Sequence, residues 1–215
     1  MLDVLAFKAT DVPAKNLVTN GNFSNGTAGY SSFGATISAA DNILSVTGTG
    51  AFLSAQTWFN NPEYVSGDMF YARVRVRVTN NIASQVRLVS YPSQSLSRTI
   101  ATPAENEWID ISAQGTYSYS GSISDTRLMV ITTYPTAGDA AGKVTEVQYV
   151  LLLNLTQIFG AGNEPTREQM DELLAQFPNS WFNGVGNLFN AKHFMTMYFK
   201  KITELETAIA ALGGS

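Results

Sequence analysis

Protein chemistry needs side chains that move protons, attack carbon or phosphorus, hold metals, or present charge and flat apolar surface. This sequence is poor in the first three. It has no cysteine and a single histidine, His193. There is accordingly no thiolate nucleophile, no cysteine-based zinc site and none of the common transition-metal constellations. His193 stands at the head of a stretch of helical periodicity, a poor place for the base of a nucleophile–histidine–acid triad. A glycosidase needs two carboxylates about 5 to 9.5 Å apart across a cleft. Glu105, Glu107 and Asp110 cluster in sequence, but they flank Trp108 at the start of a strand-like run, where a solvated turn accounts for them. The expectation is a non-catalytic chain with no catalytic residue, no metal ligand and no cofactor.

What remains is the chemistry of recognition. In FYARVRVRV, Arg73, Arg75 and Arg77 fall on one side of a period-two pattern with Tyr71 at their head, and Arg87 lies on the next run. Planar guanidinium groups beside aromatic rings suit sugar hydroxyls, the CH faces of sugars, or anions such as phosphate and uronate. The same row also reads as a solvated strand face, or as a face that pairs with acids of a neighbouring subunit. Rings at strand ends can stack on pyranose faces, and Trp58, Tyr91 and Tyr134 each sit at a strand edge close to Asn or Pro. The candidate glycan-binding set is Trp58, Tyr71, Arg73, Arg75, Arg77, Arg87, Tyr91 and Tyr134.

These side chains need a scaffold, and the composition says which kind. Of 215 residues, 45% are hydrophobic but only 14% charged, well under the roughly 25% of an average soluble chain. Ser, Thr, Asn and Gly supply the polarity, which suits short strands joined by many turns. The net charge of -4 offers no cationic footprint for nucleic acid. Asp3, Lys8, Asp11 and Lys15 interrupt the first residues, so neither a signal peptide nor membrane insertion is expected there. Strand-like runs recur at 42–47, 51–59, 69–79, 85–91, 108–111, 127–134 and 144–155, a spacing that predicts a β-sandwich or jelly roll. Within VQYVLLLNL, Val147, Tyr149, Leu151, Leu153 and Leu155 fall on one face and Val150 and Leu152 on the other. A strand apolar on both faces needs a cover on its outer side.

The following segment, FGAGNEPTREQMDELLAQFPNSWFNG, supplies a candidate cover. Thr166 and Gln169 form a capping-box pattern, and Met170, Leu173, Leu174 and Phe177 line one helical face before Pro178. A helix over 167–176 and an aromatic loop around Trp181 and Phe182 are predicted to dock on the sandwich. Further on, Met195, Tyr198, Ile202, Leu205, Ile209 and Leu212 are spaced 3, 4, 3, 4, 3, the seam of a coiled coil. Lys201 and Glu206 fall at g and the following e position. The alternative for these residues is packing on the chain's own sandwich. Ile at a with Leu at d favours a parallel dimer, from which Met195 and Tyr198 depart.

Two stretches resemble known families. NLVTNGNFSNGTAGY, FYARVRV and ENEWIDIS resemble strands of carbohydrate-binding jelly-roll modules. FGAGNEPTREQMDELLAQFPNSWFNG is similar to a motif of bacteriophage and prophage tail, baseplate and fibre proteins, where it follows such a jelly roll. The resemblance implies a virion component made in the host cytoplasm. It further implies a homotrimer built by the C-terminal helix, with other tail or baseplate proteins and host cell-surface glycan as partners. Modules of this kind often hold a structural calcium through an acid just after the NGNF element and another near the last strand. This chain has Ser24 at the first place and no acid in QYVLLLNL. The expected layout is a lead at 1–15, a jelly roll at 16–159, a helix-and-loop cap at 160–190, a coiled-coil helix at 191–212 and a tail at 213–215. A purely structural spacer, and a carbohydrate-binding module of a secreted bacterial glycosidase or adhesin, are the alternatives.

Overall fold

A computed structural model of the chain describes residues 13–79, 82–175, 189–190, 206–207 and 209–211. In chain order the strands are β1 (Pro13–Ala14), β2 (Tyr30–Phe33), β3 (Ala35–Ala40), β4 (Ile43–Gly48), β5 (Ser54–Asn60), β6 (Met69–Thr79), β7 (Gln85–Tyr91), β8 (Ser97–Ala101), β9 (Ile109–Thr116), β10 (Arg127–Thr133), β11 (Val144–Asn154) and β12 (Phe189–Asn190). The helices are α1 (Ala137–Ala140), α2 (Leu155–Phe159) and α3 (Arg167–Leu174). Ten of these strands form two five-stranded sheets, in the orders β2-β5-β10-β7-β8 and β3-β4-β11-β6-β9, with every pairing antiparallel. The fold is therefore a mainly β sandwich, as the recurring short runs predicted.

Period-two alternation places the core. Phe70, Ala72, Val74, Val76 and Val78 of β6 face Ala55 and Phe59 of β5, Val86 and Leu88 of β7, and Leu128 and Val130 of β10 in one buried cluster. Local chemistry sets the turns. Asp41 and Asn42 both take positive φ, 52° and 60°, the conformation that joins β3 to β4 with the twist a two-residue hairpin needs. Gly34 alone turns the chain from β2 in the first sheet to β3 in the second. Its φ is 64°, and a Cβ there would lie 2.3 Å from the Ser54 carbonyl oxygen.

The NLVTNG opening works by edge-capping rather than as an ordinary strand. β11 pairs with β4 only over Val144–Val147, so beyond that point its second edge needs partners. Leu17 N–H donates to the Leu152 carbonyl and Val150 N–H donates to the Gly21 carbonyl. The buried Asn16 side chain completes the edge: its Oδ1 accepts from Leu152 N–H and its Nδ2 donates to the Val150 carbonyl. One amide side chain thus imitates a peptide unit of a missing strand.

The outer face of the second sheet is covered over β11 and the start of β6, as the two-faced apolar strand requires. Tyr71, Leu151 and Leu153 pack beneath Leu155, Ile158 and Phe159 of α2 and Met170, Leu173 and Leu174 of α3. The Thr166–Gln169 capping box forms as read, and α3 ends at Leu174. The outward set of β11 differs at one residue. The register shifts between Val147 and Tyr149, so Val147 joins the inner core while Tyr149, Leu151 and Leu153 face outward. A bulge of this kind flips all residues on one side of it. β11 also stops at Asn154, whose side chain caps α2 by accepting from Gln157 N–H; Leu155 is helical. Of the proposed coiled-coil seam, only Glu206 and Ile209 fall within the described residues, where they are helical and exposed. Met195, Tyr198, Lys201, Ile202, Leu205 and Leu212, like His193 and the Trp181–Phe182 loop, lie outside them.

Candidate functional site

The predicted ligand residues divide between the outer faces of the two sheets. Tyr71, Arg73, Arg75 and Arg77 project from β6 on the side of the second sheet that the cap covers. Tyr71 is fully buried and Arg73 is 7% exposed. The Arg73 guanidinium bridges Asp110, on β9, at 3.2 Å and Asp171, on α3, at 3.1 Å. Asp171 also accepts hydrogen bonds from the Tyr71 hydroxyl and the Ser112 hydroxyl, while the Tyr149 hydroxyl donates to Asp110. Burial raises the phenol pKa values of Tyr71 and Tyr149, and the acids beside them raise them further. Both tyrosines therefore stay protonated and donate. The network fastens α3 to the sheet.

Further along the strand, Arg75 and Arg77 lie over the Trp108 ring, their guanidinium carbons 5.9 and 4.7 Å from its centroid. Arg77 is also ion-paired to Glu146 on β11. The arginine row is thus largely engaged within the chain. Tyr134 is 2% exposed and belongs to the inner core.

Trp58, Arg87 and Tyr91 come together on the other outer face. In the first sheet, Asn60, Arg127 and Tyr91 stand opposite one another across β5, β10 and β7. The next row on the same face is Trp58, Met129 and Val89, and the one after it is Gln56, Ile131 and Arg87. Val89 and Met129 are 3% and 8% exposed, although alternation points them away from the core. Larger side chains of the same face cover them. Tyr91 is 41% exposed and Trp58 partly exposed. Between them stands Arg127, its guanidinium carbon 5.1 Å from the Trp58 ring centroid and 5.3 Å from that of Tyr91. The Trp58 indole N–H donates to Asn60 Oδ1 at 2.8 Å, which fixes the ring. The Arg87 guanidinium is held by Ser97 Oγ and Gln94 Oε1. Among the described residues no cap helix covers this face.

Arg127 was not among the residues singled out in the sequence. It opens a strand between two turns, and only the pairing of β10 with both β5 and β7 sets it between two rings. Glu105, Glu107 and Asp110 do not assemble a paired-carboxylate centre: Asp110 serves Arg73 and Tyr149, and Glu105 and Glu107 are exposed. Among the described residues no cluster of three His, Cys, Asp or Glu side chains is placed to hold a metal ion. The loop after the NGNF element closes on its own amides, with Asn20 Nδ2 donating to the Gly26 and Ala28 carbonyls and Asn20 Oδ1 accepting from Asn25 N–H.

No protein-family model and no curated protein sequence matches the chain. Solved structures do resemble it. An arabinose-bound GH51 α-L-arabinofuranosidase aligns over 75% of this chain with a TM-score of 0.51 and 10% identity, and the aligned part is 30% of that enzyme. A family 16 carbohydrate-binding module aligns over 64% of this chain and 99% of its own, with a TM-score of 0.47 and 14% identity. A tandem CBM22 domain aligns over 67% of this chain and 47% of its own, with a TM-score of 0.48 and 11% identity. At these identities the likeness is one of fold, a β-sandwich.

Proposed function

We propose that the chain is a non-catalytic recognition module that holds a glycan across the outer face of its first sheet. The observation that carries this is the placement of Arg127 between Trp58 and Tyr91 on a sheet face that no helix of the described residues covers. Two rings on one face offer stacking surfaces for sugar rings, and the amide and guanidinium groups beside them offer hydrogen bonds to hydroxyls. On the opposite sheet the chain's own cap covers Tyr71, Leu151 and Leu153, and Arg73 and Arg77 are ion-paired within the chain.

A glycan array tests this. Wild-type protein should bind at least one polysaccharide class, Trp58→Ala should abolish the signal, and Arg77→Ala on the other sheet should leave it unchanged. An empty array would favour the spacer.

The wider setting we propose is a phage tail or baseplate, where the chain is a structural and adhesive homotrimer of the virion in contact with other tail proteins. This reading is supported by the FGAGNEPTREQMDELLAQFPNSWFNG motif and the heptad spacing of 195–212. A module of a secreted glycosidase or adhesin would use the same sheet face. Gene neighbourhood separates the two, since virion genes or a catalytic domain would flank the coding sequence.

A further inference from the structure

We infer that the ligand of the first-sheet face is an acidic glycan, one whose sugar units carry carboxylate or phosphate oxyanions. This rests on the glycan reading of the same face and adds to it the charge of the ligand. Two guanidinium groups stand on the face, Arg127 on β10 and Arg87 on β7, and the residues that alternation and register place there include no Asp or Glu. The ion pairs of the described residues use Arg73, Arg77 and Arg167; among those residues Arg127 and Arg87 have no carboxylate partner. Arg87 is held only by neutral oxygens. Arg127 has rings on the strands at either side of it and neither a hydrogen bond nor an ion pair among the described residues. In a chain of net charge -4, a face with two uncompensated cations and no acid is a local reversal of sign.

The chemistry follows from the geometry. Rings against a guanidinium fix its plane while leaving its in-plane N–H donors free, and that fork matches an oxyanion with two oxygens. A neutral sugar can take the same donors through its hydroxyls, but only an oxyanion also pairs with the charge. Arg127 stands opposite Tyr91, and Arg87 lies four residues from Tyr91 on β7, about 13 Å along the strand, so the two guanidinium groups are spaced along one face. An extended polyanion reaches both.

The test is calorimetric titration of the full chain with matched polymers: polygalacturonate, alginate and a glycerol teichoic acid, against methyl-esterified polygalacturonate, xylan and a mixed-linkage β-glucan. Binding of an acidic polymer is expected to weaken as salt rises. Arg127→Gln should weaken it about tenfold, and Arg127→Lys by less, since it keeps the charge and loses the fork. Which of the carboxylate and phosphate polymers binds identifies the oxyanion. Circular dichroism melting confirms that the variants fold, and Arg77→Gln on the opposite sheet should have no effect. Neutral polymers binding as tightly as acidic ones, or an Arg127→Gln affinity within about twofold of wild type, would overturn the acidic-ligand inference and leave the glycan reading intact. No binding to either class would overturn both.

Discussion

Asn16 shows how much a single polar side chain does in this fold. It is 1% exposed and satisfies an N–H and a C=O on the unpaired edge of β11. Replacing it with Ala removes the partner it gives to each group, and a lost partner in a buried site is worth roughly 1–3 kcal/mol. Asn16→Ala should therefore lower the unfolding free energy by about 2 kcal/mol or more in urea titration, whereas substitution of the exposed Ser24 should be nearly silent. Gly21 is equally constrained, because a Cβ there would lie 2.2 Å from the Val150 carbonyl oxygen. In the sequence the NLVTNG stretch resembles a jelly-roll strand. Its edge-capping role was not legible, because the partner is β11, more than a hundred residues away in sequence. Trp58, Arg87 and Tyr91 were legible as ligand candidates by type and by their place at strand edges. Their assembly was not, since alternation says which residues share a face of one strand and nothing about which strands are neighbours.

At the scale of elements, the helical cap is held by packing and by the Arg73 network. Asp171 takes hydrogen bonds from Tyr71, Arg73 and Ser112, and removing it leaves Arg73 with Asp110 alone. Asp171 itself is partly exposed, so Asp171→Ala should cost about 1–3 kcal/mol rather than the full penalty of a buried pair. A double-mutant cycle with Arg73 should show coupling between them. The same network sets an alkaline limit. Burial raises the phenol pKa values of Tyr71 and Tyr149 above their ordinary 10.0. The folded state thus holds protons that the unfolded state releases. Stability from these groups is complete below pH 10.0 and falls as the pH rises beyond it. Thermal melting across the alkaline range should show that decline, and Tyr71→Phe should flatten it.

The elements themselves were unevenly legible. β6 and β7 match their predicted spans because strong alternation of β-branched and polar residues leaves one solution. YSSF, ATISAA and SRTIA, which form β2, β3 and β8, are too rich in small residues for periodicity to mark them. The bulge in β11 and the early start of α2 escaped for a different reason. LTQIF continues an apolar strand pattern, and only the Asn154 cap turns it into a helix.

For the molecule as a whole, the two sheets have been given different work. The second packs on the core with one face and carries the α2–α3 cap over part of the other. The first packs on the core with one face only, and in the proposal its other face meets the ligand. The proposed trimer would multiply three such faces, so that weak individual contacts become firm attachment. Light scattering should then give about three times the chain mass of 23.2 kDa, and a monomer at high concentration would remove avidity from the proposal while leaving the face in place.

Which sheet meets the ligand can be observed directly. The three tryptophans can be replaced with 5-fluorotryptophan and their fluorine resonances assigned through single Trp→Phe variants. On titration with a bound glycan the Trp58 resonance should move and the Trp108 resonance, under Arg75 and Arg77 on the other sheet, should stay. Movement of Trp108 with Trp58 unchanged would contradict the first-sheet site.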